Sequence, residues 1–122
     1  MKTVALWIDV QKAVIVSATE QVVDIEFVSS AIDSCRWQSD VWKVPPAVKQ
    51  TLCDDQLKRF YQSVSGNVLD AQSLLIFGRG DAKSVLRQRL RTDNFPGTVI
   101  GFEAAGRMSE SQLVTKVKNA QN

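Results

Sequence analysis

The chain has 122 residues, 44% of them hydrophobic, and a net charge of +2. That suits one domain with a single core and excludes a molecule that coats nucleic acid by bulk charge. The absence of histidine excludes histidine general-base catalysis, Ser-His-Asp and Cys-His triads, and the usual zinc sites.

No apolar run approaches the ~20 residues a membrane span needs. Met1-Lys2-Thr3-Val4 leads straight into a strand pattern rather than a signal core. A cytoplasmic chain without membrane contact is expected. The two cysteines, Cys35 and Cys53, lack metal-ligand spacing, and in that compartment they are expected to be reduced and unpaired. Charge is distributed unevenly. Residues 1–78 carry seven Lys/Arg against nine Asp/Glu, whereas residues 79–122 carry eight against four. Such an asymmetry is compatible with an anionic partner at one face.

Residues 3–9 read as a buried strand and residues 12–18 as its hairpin partner, joined across Val10-Gln11. Residues 22–28 alternate, with Val23, Ile25 and Phe27 on one face and Asp24 and Glu26 on the other, as in a half-solvated antiparallel strand. Residues 29–48 show no clean period and read as a long loop, whose length in so small a domain points to a functional role. Pro45-Pro46 stiffens its far end, and Trp37 or Trp42 is expected to anchor its base.

Cys53, Leu57, Phe60, Tyr61 and Val64 then fall at helical spacing. Thr51 with Asp54 supplies an inner cap and Gly66-Asn67 a stop. Residues 73–77 form a strand, and a helix spans about 82–92 with Asp81 as its N-cap. Residues 98–102 are a further β-branched run. Ser109 followed by Gln112 is a capping-box pattern opening a last helix with Leu113, Val114 and Val117 inward. The order βββαβαβα combines tight antiparallel turns with parallel crossovers. It predicts one α/β domain over residues 1–122, a mixed five-stranded sheet with helices on its faces.

Several positions are candidates for function. Gly78-Arg79-Gly80 joins a strand to a helix start, where backbone amides and Arg79 could hold an anion, although a glycine turn needed for positive φ reads equally from the same residues. Lys83, Arg87 and Arg91 recur every four residues as one basic stripe opposite Ala82, Leu86 and Leu90. The stripe could follow a phosphate backbone or form a solvated helix face. Arg89 falls near the apolar arc and would have to snorkel. In the loop, Arg36, Trp37, Gln38 and Trp42 could stack on bases, dock to a protein groove or fold back as a satellite core. Asp9 ends the first strand as a lone carboxylate, insufficient by itself for a two-metal site.

Three stretches frame the chain: Trp7-Ile8-Asp9 with Ala13-Val14-Ile15-Val16, Leu75-Ile76-Phe77-Gly78-x-Gly80-x-Ala82-Lys83, and Met108-Ser109-Glu110-x-Gln112-Leu113-Val114-x-Lys116-Val117. Together they resemble a bacterial family of small proteins related to the middle domain of archaeal and eukaryotic peptide release factors and of Pelota. The resemblance implies a ribonuclease-H-like fold and a translation context, with the ribosome, tRNA or other RNA as partner and a protein partner through loop 31–48. In release factors a Gly-Gly-Gln tripeptide promotes peptidyl-tRNA hydrolysis. Gln38 aligns with that glutamine, but Arg36 and Trp37 replace the glycines, whose backbone freedom they lack. A non-enzymatic binding module without catalytic residues, metal or cofactor is therefore expected. The alternatives are peptidyl-tRNA hydrolysis through Gln38, metal-dependent nuclease activity through Asp9, and a self-association or protein-interaction module.

Overall fold

A computed structural model of the chain describes residues 2–30 and 46–121, with side-chain surroundings given from Cys53 onward in the first helix. The elements run β1 (Thr3–Ile8), β2 (Lys12–Ala18), β3 (Val23–Ser29), α1 (Pro46–Val68), β4 (Ser73–Gly78), α2 (Ala82–Thr92), β5 (Thr98–Ala104) and α3 (Glu110–Gln121). The five strands form one sheet in the order β3-β2-β1-β4-β5. Pairings β1–β2 and β2–β3 are antiparallel, and β1–β4 and β4–β5 are parallel. This is the expected mixed sheet in a single α/β domain.

Alternation along the strands divides the interior in two. Val4, Leu6, Ile8, Ile15, Leu74 and Ile76 face one side, under Phe60, Tyr61, Val64 and Val68 of α1 and Ala82, Leu86 and Leu90 of α2. Ala5, Trp7, Val14, Val16 and Phe77 face the other, under Leu113 and Val117 of α3. The central strand β1 is buried at every position, because helices cover both of its faces. Each fully buried large apolar side chain there contributes about 1.5–3 kcal/mol relative to exposure. Trp7, 2% exposed, also donates its indole Nε1–H to the Ala105 carbonyl at 3.1 Å, pinning the β5–α3 connection to the sheet.

Gly78 shows why glycine is needed where β4 ends. A Cβ there would run into the carbonyl oxygen of Ile8 on the paired strand, so β1 and β4 approach each other through a missing side chain. Gly80 has φ +67°, a left-handed conformation that only glycine adopts freely. The turn therefore uses its two glycines for different reasons.

Three expectations are corrected. The segment read as a loop over 29–48 is regular structure at both ends, since β3 reaches Ser29 and α1 begins at Pro46; residues 31–45 lie outside the described residues. Proline fits the first turn of a helix, where its missing N–H is not needed, so Pro46 marks a helix start rather than a stiff loop end. Helix α1 also runs through Gly66-Asn67 to Val68, so the glycine is no stop. Finally, Cys53 is disulfide-bonded and buried rather than a free thiol; Cys35 lies outside the described residues.

The alternating face of β3 is a fourth difference. Val23, Ile25 and Phe27 lie opposite Ala18, Val16 and Val14 and so continue the sheet face under α3. That helix packs on β1 and β2 and leaves β3 uncovered. Val23, Ile25 and Phe27 are 41%, 37% and 64% exposed rather than buried.

Candidate nucleic-acid interface

Helix α2 lies on the α1 side of the sheet, its apolar positions Ala82, Leu86 and Leu90 buried. The opposite positions carry the basic stripe. Lys83 Nζ stands 6.0 Å from the centre of the Phe102 ring on β5, and the Arg87 guanidinium stands 4.9 Å from it. Both distances fall within cation–π range. Phe102, packed against the core from β5, thus aligns two neighbouring cations along the β5 edge. Arg91, one turn further on, is exposed. The ring is taken up by these two cations, so an anionic partner would meet charge here rather than a free stacking surface.

Lys83 sits in the first helical turn, where the positive end of the helix macrodipole disfavours a cation. Its ammonium donates to the Gly80 carbonyl at 2.8 Å, and the carboxylate of Asp81 lies just before the helix. Asp81 is the N-cap by position but makes no side-chain capping bond. Arg79 is exposed, with its guanidinium beside Gly106 of the β5–α3 loop. Its amide donates to the Ile8 carbonyl at 3.2 Å, so that N–H serves the β1–β4 pairing. The structure thus groups Lys83 and Arg87 tightly, sets Arg91 at one end of the stripe, and places Arg79 beyond the other end, on the turn.

Arg89 is separate from the stripe. Its Nε donates to Asp93 Oδ2 at 3.1 Å, and the same oxygen accepts the Ser65 hydroxyl at 2.7 Å. Ser65 belongs to α1 and is fully buried, so this network ties α1 to the end of α2. The hydrogen bond from Ser65, aided by the Arg89 guanidinium, holds the Asp93 carboxyl below the ordinary aspartate value. No periodicity signals such a network. An Asp four residues after an Arg at a helix end is the one local hint.

Asp9 is committed to the β1–β2 turn. Its Oδ1 accepts the amides of Gln11 and Lys12 at 2.8 and 2.9 Å, a local side-chain turn of the kind short carboxylates favour. Among the described residues no group of three or more His, Cys, Asp or Glu side chains is placed to hold a metal ion. Asp9 and Asp81, at the ends of β1 and β4, both act on Tyr61 of α1. Burial first, then the negative charges of Asp9 and Asp81, push the Tyr61 hydroxyl above its ordinary value.

Two concavities adjoin these features. A groove of about 580 Å³ between α1 and α2 is lined by Leu57, Tyr61, Val85 and Arg89 among others. A cleft of about 620 Å³ on the opposite face is lined by Trp7, Lys12, Val14, Phe27, Met108 and the start of α3. Arg36, Trp37, Gln38 and Trp42 lie outside the described residues. No described helix is long and apolar enough to cross a membrane.

The arrangement of elements is similar to that in two solved structures. Against the Pelota protein of Thermoplasma acidophilum the TM-score is 0.64 at 14% identity, over 99% of this chain and 34% of that one. Against an archaeal translation termination factor, aRF1, it is 0.57 at 11% identity, again over 99% and 34%. The chain therefore spans about a third of the length of each, and at these identities the likeness is one of fold. No family model and no curated protein matches the sequence.

Proposed function

We propose that this chain is a non-enzymatic, translation-associated module of the kind found in the middle of release factors and Pelota, binding RNA or the ribosome through α2 and the β5 edge. The observation that carries the reading is the alignment of Lys83 and Arg87 over Phe102, continued by exposed Arg91. No acidic residue interrupts residues 82–92. A row of cations at one-turn intervals can neutralise successive phosphates and release their counterions, and it reads charge and shape rather than base identity. The fold likeness to Pelota and aRF1 supports a translation context. A cytoplasmic compartment and a place in the small bacterial family that the sequence motifs resemble are parts of the same proposal, carried by the sequence reading alone. Asp9, whose carboxylate stabilises a turn, favours the binding module over a metal-dependent nuclease.

The test is a salt series of RNA affinities, with ribosome co-sedimentation beside it. Replacing Lys83, Arg87 and Arg91 by Ala should flatten the dependence of log K on log salt by about 2, since each single-strand phosphate contact contributes ~0.7. Replacing all three by Glu should remove binding, while thermal unfolding stays near wild type because these side chains lie outside the core. Unchanged affinity and slope in the Glu variant would sink the proposal.

A further inference from the structure

We propose that the open edge of β3 is a strand-addition site for an extended peptide in which apolar residues alternate with lysine or arginine. The argument begins with the backbone. The Thr19 amide donates to the Val22 carbonyl and the Ser30 amide to the Gln11 carbonyl, both at 2.9 Å. Continuing the β2–β3 register, these are directly opposed pairs. Hydrogen-bonded and non-bonded pairs alternate in an antiparallel ladder, so Asp24, Glu26 and Val28 direct their N–H and C=O groups toward β2. Val23, Ile25 and Phe27 direct theirs outward, along an edge with no neighbouring strand among the described residues.

The same three residues carry the exposed apolar side chains. Unpaired backbone groups and an uncovered apolar row therefore coincide on one strand, the two components by which a sheet edge captures a peptide. The cleft beside Phe27 is lined by Trp7, Val14 and Met108 but also by Lys12, Arg107 and the polar start of α3, so the apolar surface offered to a peptide is the row on β3 itself. At the other edge, β5 carries a bulge beside Leu74/Leu75, which breaks the regular spacing a template needs. Strand β3 pairs without interruption from Val23 to Ser29.

Charge selects the occupant. Asp24 and Glu26 are exposed on the opposite face of the same strand. A second copy adding through its own β3 would bring these carboxylates together, and like charges on adjoining strands are destabilising. An incoming strand with Lys or Arg on that face and apolar residues on the other matches both rows. The acidic row also repels RNA, so this surface is distinct from the basic edge at α2.

The probe is a labelled peptide of ~8 residues alternating Val and Lys, a typical strand length, titrated by fluorescence anisotropy. Its comparisons are a peptide of equal composition with the lysines in one block, and an alternating Val/Glu peptide. The alternating Val/Lys peptide should bind about tenfold or more tightly than either. In bound wild-type protein, amide exchange should slow at Val23, Ile25 and Phe27 while Asp24, Glu26 and Val28 change little. Ile25→Pro removes an outward N–H without touching the β2 ladder, as edge prolines do, and should abolish binding. The double variant Asp24→Lys with Glu26→Lys should reverse the preference toward the Val/Glu peptide. Equal binding of the block peptide, or protection spread over both sets of amides, would overturn the proposal. So would a β3-mediated dimer seen by sedimentation velocity and dissolved by Ile25→Pro, which would give the edge to a second copy.

Discussion

Tyr61 is the single tyrosine of the chain, and its phenolate absorbance therefore reports one environment. Burial and two nearby carboxylates raise its pKa above 10.0, because both disfavour a negative ring oxygen. A folded value raised above the unfolded one gives a stability contribution that is whole below the unfolded pKa. It is lost as pH rises through the folded value. The native protein should form phenolate at higher pH than the urea-unfolded chain, which titrates near ~10. Stability of the native protein should fall across that alkaline window, and Tyr61→Phe should remove this part of the fall. A native titration coinciding with the unfolded one would show the hydroxyl to be solvated. Ser65 and Asp93 show the complementary case, in which a buried hydroxyl stabilises the charged rather than the neutral form.

Helix α3 shows how far an element can be argued from its first turn. The Ser109 amide donates to Gln112 Oε1 at 2.8 Å and the Gln112 amide donates to Ser109 Oγ at 3.2 Å, the reciprocal pair of a capping box. Ser109→Ala should cost ~1 kcal/mol, with ~0.5–2 as the span for such caps, read as a lowered urea midpoint at unchanged slope. No shift would mean that Leu113 and Val117, packed on Trp7 and Phe77, fix the helix without its cap. This element was legible in the sequence because its signal is local, as were the five strands and the β4–α2 glycine turn. The start of α1 is ambiguous in sequence because Pro45-Pro46 satisfies both a stiff loop and a helix N-terminus. The exposure of β3 is hidden in sequence because period two identifies an apolar row but not whether a helix covers it. At the candidate site, the spacing of Lys83, Arg87 and Arg91 was visible in sequence. Their alignment over Phe102 depends on the β4–β5 register, which no local pattern encodes. Asp9 could be recognised as a strand end, whereas its two amide contacts depend on how the hairpin closes.

At the scale of the molecule, the sheet order sets both stability and recognition. Strands β1 and β4 lie inside the sheet with helices on both faces, β2 adjoins them, and β3 lies at an edge beyond the reach of α3. Local opening follows burial and the number of paired neighbours. Native-state hydrogen exchange should therefore show amides of β1 and β4 opening only near the global unfolding free energy. In β3 the inward amides of Asp24, Glu26 and Val28 should open at lower cost, and the outward amides of Val23, Ile25 and Phe27 should exchange almost freely. The charge asymmetry follows the same axis, with Asp24 and Glu26 at the β3 edge and Lys83 and Arg87 at the β5 edge. RNA added to the protein should slow exchange in α2 and leave the outward amides of β3 untouched. Exchange mapped by nuclear magnetic resonance, with and without RNA, tests both statements. Outward β3 amides protected as strongly as those of β1 in the free protein would mean that the edge is already covered. Protection of β3 on adding RNA would mean that the two edges do not act as separate surfaces.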